Sequence, residues 1–146
     1  MRNQEQQELV GSHILVIEDE PTIRRFYERL FGPLGLETSF APSGNVAMEM
    51  IESGRSYDVI LLDIRLPGLS GREIWKLLQL KRPELCSRVI MVTGDILNEG
   101  TRQLLEDSGR PYLEKPFSSE DLLTTIKRVV LAPAPEEPNR DQRNAG

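Results

Sequence analysis

Short apolar runs alternate with amphipathic stretches along most of this chain. Three runs, at 13–17, 57–62 and 88–92, are rich in β-branched residues and nearly continuous in hydrophobicity. Such runs are typical of strands that are covered on both faces, so we expect them to be the inner strands of a parallel sheet. Two weaker runs, at 36–40 and 111–114, predict two further strands.

Between these runs the apolar spacing changes from that of a strand to that of a helix. The clearest helical stripe has the spacing i, i+3, i+4, i+7, i+8 and consists of Ile23, Phe26, Tyr27, Leu30 and Phe31. A proline precedes it at position 21, where the first turn of a helix tolerates that residue. The stripe predicts a helix with one buried face.

Serines at capping positions begin three of the other four predicted helices. Ser43 and Ser70 precede two of them, and Ser118 with Asp121 forms a capping pattern before the last. Trp75 falls outside the apolar stripe of its helix, so we expect it to cover surface. The inner positions are expected to be Val46, Ala47, Met50, Ile51, Ile74, Leu77, Leu78, Leu122, Leu123, Ile126, Val129 and Val130, with Leu97, Leu104 and Leu105 marking the weaker fourth helix.

The order strand, helix, repeated five times, predicts an α/β fold. Right-handed crossovers leave few topologies for it, and we expect a doubly wound sheet of five parallel strands with five helices on its two faces. We assign residues 13–131 to this single domain, 1–12 to a flexible N-terminal arm, and the Pro-rich segment 132–146 to a disordered tail or linker.

Composition excludes several classes of function. The net charge of −5, with scattered basic residues, provides no electrostatic footprint for direct nucleic acid binding. No apolar run approaches the roughly 18 residues of a membrane span, and the polar residues 1–12 do not resemble a secretory signal, so we expect a cytoplasmic protein without membrane insertion. The single cysteine, Cys86, cannot form an internal disulfide.

Three acidic residues follow two of the predicted strands. Glu18 and Asp19 come after the first strand, and Asp63 comes after the third. If these strands are neighbours, the three carboxylates converge at the carboxyl edge of the sheet and repel one another unless a cation is present. Oxygen ligands without His or Cys favour a hard cation, so we expect Mg²⁺, with Mn²⁺ as a substitute.

Two further polar groups are expected at the same edge. Thr93 ends the fourth strand and Lys115 ends the fifth. A carboxylate acts as a nucleophile toward phosphorus when positive charge neutralises the phosphoryl oxygens. Lys115 would supply such charge, and Thr93 a hydrogen bond.

Four ordered motifs together resemble the receiver domain of two-component response regulators, over about 13–131. They are the acidic segment IEDE at 17–20, the segment LLDIRLPGLSG at 61–71, VTG at 92–94 and LEKPF at 113–117. The resemblance implies that Asp63 is the phosphoacceptor and that Asp19 is a direct metal ligand. It also implies that Glu18 binds the metal directly or through water, and that the backbone carbonyl of Arg65 is a further ligand.

The same resemblance implies a flavodoxin-like sheet with the strand order 2-1-3-4-5, and it assigns the remaining positions. Thr93 and Lys115 would bind the phosphoryl group, and Tyr112, three residues before the lysine, would swing inward on activation. A cis peptide bond is expected at Lys115-Pro116. Three positions depart from the commonest pattern. Glu18 replaces an aspartate, Arg65 has a long cationic side chain at the rim of the site, and Gly94 replaces an alanine, which leaves more open space near Asp63.

The resemblance implies a signalling domain rather than an enzyme with a separate substrate. A histidine kinase or histidine phosphotransfer protein would dock near the first helix and phosphorylate Asp63, and the domain would assist that transfer and its own dephosphorylation. The face formed by the fourth helix, fifth strand and fifth helix would then meet an unidentified output partner. The chain would be a stand-alone regulator, a phosphorelay intermediate, or the receiver of a larger regulator or hybrid sensor histidine kinase.

Three other functions are compatible with parts of this pattern. A phosphorylation-independent interaction module of the same fold would not use the site. An aspartyl-phosphate hydrolase would need a second acid two residues after Asp63, where Arg65 stands. A nucleotide-binding domain would need a glycine-rich turn after the first strand, where the sequence is instead acidic.

Overall fold

The computed structural model describes residues 8–133. In this part of the chain, five strands and five α-helices alternate, together with 3₁₀ segments at Gly32–Leu34 and Pro83–Arg88. No helix among the described residues is long and apolar enough to cross a membrane. The elements are β1 His13–Ile17, α1 Pro21–Phe31, β2 Glu37–Ala41, α2 Gly44–Glu52, β3 Val59–Asp63, α3 Gly71–Lys81, β4 Val89–Thr93, α4 Glu99–Ser108, β5 Tyr112–Glu114 and α5 Ser119–Val130.

All five strands are parallel and lie in the order β2-β1-β3-β4-β5. The predicted fold class and strand order are therefore confirmed. The chain order reverses beside β1, whose neighbours are β2 and β3. Ligands of doubly wound sheets bind where two neighbouring connections run to opposite faces, so this is the place to look for a site.

The sheet has a separate hydrophobic core on each face, because successive strand residues point to opposite sides. On β1, Leu15 and Ile17 join the core under α2, α3 and α4, whereas Ile14 and Val16 join the core under α1 and α5. All four of these side chains are buried. The near-continuous apolar runs in the sequence thus reflect burial on both faces.

The predicted serine caps are present. The Ser43, Ser70 and Ser118 hydroxyls accept hydrogen bonds from backbone amides in the first turns of α2, α3 and α5, at 3.2, 3.2 and 3.0 Å. The cap of α4 is Asn98, whose side-chain oxygen accepts from the Thr101 amide. Leu97 precedes that cap and is 85% exposed, so it lies outside the helix that it was expected to mark.

Trp75 also differs from its prediction, because it is buried in the core under α3. The 3₁₀ segment Pro83–Arg88 packs back against α3, and its buried Leu85 belongs to the same core as Trp75. The buried face of α3 is therefore wider than its apolar stripe. A periodicity argument that considers one helix alone does not include this second contact.

The carboxyl end of the predicted N-terminal arm packs on the domain. Leu9 is buried in the core under α1 and α5, and the Gly11 amide donates to the Gly35 carbonyl at 2.8 Å. Residues 8–12 of the predicted arm thus include positions that contact the domain. The rest of the arm, 1–7, and the predicted tail from residue 134 onward lie outside the described residues.

Candidate functional site

Asp63 is the last residue of β3 and lies at the carboxyl edge of the sheet. Asp63 is only 7% exposed, because β3 is flanked by β1 and β4. The Arg65 amide donates to Asp63 Oδ1 at 2.9 Å, and the Lys115 ammonium donates to Oδ2 at 2.7 Å. Both carboxylate oxygens are thus oriented by donors.

Glu18 follows β1 and is more deeply buried than Asp63, at 2% exposure. Its Oε1 accepts a hydrogen bond from the Glu20 amide at 3.1 Å, and its Oε2 lies 3.6 Å from Lys115 Nζ. Burial raises the pKa of the Glu18 carboxyl to about 7, although the Glu20 amide and the Lys115 ammonium oppose this shift. The nearby Asp63 charge contributes to this rise.

Lys115 follows β5 and reaches back over the end of the sheet to both acids. Burial alone would lower the pKa of Lys115, but the hydrogen bond and charge of Asp63, followed by the charge of Glu18, raise it. The predicted cis peptide bond at Lys115-Pro116 is present. Lys115 is therefore held as a cation between two buried carboxylates.

Thr93 ends β4 beside Asp63 and is buried. The Ile64 amide donates to the Val92 carbonyl at 3.0 Å, and the Lys115 amide donates to the Thr93 carbonyl at 2.8 Å, so the backbones beyond β3, β4 and β5 remain linked at this edge. The Thr93 hydroxyl accepts a hydrogen bond from the Asp95 amide at 3.1 Å. The structure thus brings Thr93 to the edge that holds Asp63 and Lys115.

Tyr112 begins β5 opposite Met91 of β4 and is 49% exposed. It lines an open cavity of about 410 Å³ together with Ile96, Leu105 and Arg110. Its side chain therefore lies at the surface between β5 and α4, outside the group of acids.

Asp19 does not join the buried acids, because its side chain is exposed. Within the described part of the chain, no three His, Cys, Asp or Glu side chains are grouped closely enough to hold a metal ion. The structure thus brings two of the three predicted carboxylates, Glu18 and Asp63, together as a buried pair and leaves Asp19 exposed next to Glu18 in the chain. The physical reason is that Asp19 stands one residue beyond the buried position, where the chain has already left the sheet.

The residues present nevertheless fit a magnesium site. Two buried carboxylates share one ammonium, which leaves an excess of negative charge at the edge of the sheet. Mg²⁺ is usually bound by one or two carboxylates, with waters and phosphate oxygens completing its coordination. The buried pair of Glu18 and Asp63, with the exposed Asp19 next to Glu18 in the chain, meets that requirement.

Sequence reasoning missed Asp95, which lies at the mouth of the site. Its Oδ2 forms an ion pair with the Arg65 guanidinium at 3.1 Å, while its amide holds the Thr93 hydroxyl. Hydrogen bonds therefore run from Asp63 through Arg65 and Asp95 to Thr93. The sequence did contain a signal for this ion pair, because Arg65 stands two residues after Asp63 and Asp95 stands two residues after Thr93.

Comparisons with known proteins agree with this arrangement. A family model described as the response regulator receiver domain matches residues 14–127. The chain is 35% identical over 129 residues to the phosphate regulon transcriptional regulatory protein PhoB of Pseudomonas aeruginosa, a match that covers 87% of this chain and 55% of PhoB. It is also 30% identical over 118 residues to the sensor kinase CckA of Brucella abortus, covering 80% of this chain and 12% of the kinase.

Among solved structures, the chain resembles the receiver domain of a sensor histidine kinase from Pseudomonas aeruginosa PAO1. The TM-score is 0.75 at 28% identity, and the match covers 84% of this chain and all of that one. That domain has a magnesium ion coordinated in its active-site cleft. The chain spans about half of the length of the transcriptional regulators that it matches.

Proposed function

Because this chain belongs to the response regulator receiver domain family, we propose that it is the phosphoacceptor switch of a two-component system or phosphorelay. Asp63 would receive a phosphoryl group from a phosphohistidine. The observation that carries this proposal is the 2.7 Å contact between Lys115 Nζ and Asp63 Oδ2 at the buried carboxyl end of β3.

The geometry of Asp63 suits an attacking carboxylate. A bond would form between an Asp63 oxygen and phosphorus while the bond from phosphorus to the donor's imidazole nitrogen breaks. The bonding electron pair would stay on that nitrogen, and the ring, protonated on its other nitrogen, would leave as neutral imidazole. Lys115 would hold the acceptor oxygen and place positive charge beside the incoming phosphoryl oxygens. Such transfer depends mainly on positioning and electrostatic stabilisation.

We propose Mg²⁺ as the cofactor, with Mn²⁺ as a substitute. The residues that would hold it are Glu18, Asp19, Asp63 and the backbone carbonyl of Arg65. When bound, the ion would supply positive charge that offsets the carboxylates and the phosphoryl oxygens. The buried pair of Glu18 and Asp63 supports this assignment because one ammonium does not neutralise both acids.

We propose that the donor is a cytoplasmic histidine kinase or histidine phosphotransfer protein that docks on α1. Because the two proteins must meet, we propose that this chain is cytoplasmic as well. An open, mostly apolar cavity of about 610 Å³ lies next to Lys115 and is lined by Ile23, Phe26, Gly94, Pro116 and Phe117. Phe26 is one of the few large apolar side chains that are exposed. An apolar surface beside the phosphoacceptor supports docking of a partner that must bring its histidine to Asp63.

The proposed switch couples Asp63 to the surface around Tyr112. A phosphoryl group on Asp63 would attract the Thr93 hydroxyl, and Tyr112 would move into the space that Thr93 vacates, which changes the face formed by α4, β5 and α5. The position of Thr93 at the same sheet edge, and the open cavity beside Tyr112, support this coupling. An output partner would bind that face.

The test is the intact mass of the protein after incubation with acetyl phosphate, with and without Mg²⁺, for the parent and for Asp63→Asn. We expect one added phosphoryl group that requires both Mg²⁺ and Asp63. A phosphohistidine donor protein would be used in parallel. If neither donor adds a phosphoryl group, the proposal fails and the phosphorylation-independent interaction module takes its place.

A further inference from the structure

Arg65 connects the phosphoacceptor to the start of α4. Its backbone amide donates to Asp63 Oδ1 at 2.9 Å, and its guanidinium Nη2 forms an ion pair with Asp95 Oδ2 at 3.1 Å. The other oxygen of that carboxylate, Asp95 Oδ1, accepts a hydrogen bond from the Asn98 amide at 3.2 Å. Because Asn98 caps α4, the ion pair ties the beginning of this helix to the segment that follows β3.

A second arginine holds α4 from the same segment of the chain. Arg72, in the first turn of α3, donates from Nη2 to the Gly100 carbonyl in the first turn of α4. Arg65 and Arg72 are therefore both tethers between the segment after β3 and the start of α4. Of the two, Arg65 is the one whose amide also contacts Asp63.

The ion pair of Arg65 with Asp95 is weak enough to be exchanged for a stronger one. The Arg65 side chain is 71% exposed and the Asp95 side chain is 42% exposed. An ion pair in such contact with water changes an equilibrium by about fivefold at most. A phosphoryl group adds about two negative charges, and its oxygens match the geometry of a guanidinium. A phosphoryl group on Asp63 would thus compete with Asp95 for Arg65.

We propose that the Arg65 guanidinium exchanges Asp95 for the phosphoryl group when Asp63 is phosphorylated, and that this exchange releases the start of α4. The proposal rests on the proposed function of Asp63, and it adds a phosphoryl-binding residue to those named above. Arg72 would keep its contact with the Gly100 carbonyl, because that acceptor is neutral and belongs to α4 itself. The released part is therefore the connection between β4 and α4.

The tether is tested in the unphosphorylated protein, by amide hydrogen exchange followed by NMR. Arg65→Gln should make the Asn98 and Thr101 amides, which form the cap of α4, exchange about two- to fivefold faster, the range that an exposed ion pair allows. Lys81→Gln is the matched control, because it removes an exposed ion pair at the other end of α3 and should leave both amides unchanged. Equal exchange in Arg65→Gln and the parent would overturn the proposal.

The exchange of partners is tested with Mg²⁺ and beryllium fluoride, a noncovalent mimic of the phosphoryl group, whose dissociation constant is measured by NMR titration. Asp95→Asn should bind the mimic about two- to fivefold more tightly than the parent, because Arg65 no longer has a competing partner. Arg65→Gln should bind it more weakly by a similar factor. In the Arg65→Gln background, Asp95→Asn should have no effect, since no guanidinium is left to release.

The double variant separates exchange from simple charge repulsion. If Asp95→Asn tightens binding equally with and without Arg65, Asp95 only repels the mimic, and the proposal is wrong. If both single variants weaken binding, the ion pair serves only to shape the loop, and the proposal is wrong as well. A parent that gains no phosphoryl group on Asp63 from any donor would refute the proposed function, and the exchange with it. A parent that is phosphorylated, with equal affinities for the mimic in all variants, would refute the exchange alone.

Discussion

The ammonium of Lys115 lies 2.7 Å from Asp63 Oδ2 and 3.6 Å from Glu18 Oε2, so one cation is shared by two buried carboxylates. Lys115→Met should therefore leave both acids without their positive neighbour. In the absence of divalent metal, we expect the free energy of unfolding to fall by about 1–3 kcal/mol. Urea denaturation in EDTA measures this change.

The matched control for that substitution is Lys81→Met, which removes an ammonium from an exposed ion pair with Glu52. Exposed ion pairs contribute little, so this variant should differ from the parent by less than about 1 kcal/mol. Equal stability losses in the two lysine variants would contradict the assigned role of Lys115. The phosphorylation assay should separate them as well, with loss expected only for Lys115→Met.

Glu18→Gln should change how stability depends on pH. The pKa of Glu18 rises from an ordinary value of 4.5 to about 7 in the folded protein. The folded state therefore holds this proton more tightly, and the associated stability is complete below pH 4.5 and lost as the pH rises through 7. In EDTA at pH 8, Glu18→Gln should be more stable than the parent, by up to about 3 kcal/mol.

Thermal unfolding in EDTA from about pH 4 to about pH 9 tests this prediction, because that range brackets the titration of Glu18. The difference in stability between Glu18→Gln and the parent should shrink as the pH falls from about 7 to 4.5. Glu20→Gln is the control, because Glu20 is exposed and only its backbone amide contacts Glu18. A difference that stays constant over the whole range would rule out the buried carboxylate as its source.

Gly94→Ala should lengthen the lifetime of the phosphoryl group on Asp63. A Cβ built at Gly94 meets no atom within 4 Å, so the substitution should fold normally and only narrow the open space beside Thr93. Loss of phosphate from the purified phosphoprotein, followed by intact mass, gives the rate. Equal rates for the variant and the parent would dispose of this prediction.

Gly71→Ala should disturb the site through the backbone. A Cβ at Gly71 would stand 2.6 Å from the Ile64 Cα and 2.8 Å from the Asp63 carbonyl oxygen, and backbone atoms cannot rotate out of the way. We expect a stability loss of about 1–3 kcal/mol, as for overpacked sites, and slower phosphorylation of Asp63. Gly32→Ala is the control, because a Cβ there meets nothing within 4 Å.

Much of the fold was predictable because burial on both faces leaves a strong pattern. The runs that became β1, β3 and β4 are apolar at nearly every position, and short crossovers leave few ways to connect them. The site residues Asp63, Thr93 and Lys115 were predictable for a related reason. Each stands at or just after a strand end, and parallel strands bring those ends to one edge.

What the sequence did not predict depends on contacts between distant segments. Trp75 is buried because a 3₁₀ segment folds back on α3, and Asp95 matters because Arg65 reaches it across the mouth of the site. Asp19 and Glu18 are adjacent acids, yet one is exposed and the other buried. Composition and spacing do not distinguish the burial of two adjacent acids, because the difference arises only where the chain leaves the sheet.

The two cores on opposite faces of the sheet have a consequence for how this protein can diverge. Tyr27 and Phe31 of α1 pack with α5 on one side, while Ile74 of α3 and Leu104 of α4 pack on the other. Only the strands between them, together with the loops, belong to both halves. Substitutions in the core under α1 and α5 can accumulate without repacking the core under α2, α3 and α4. The two faces of this small domain can therefore diverge independently of each other.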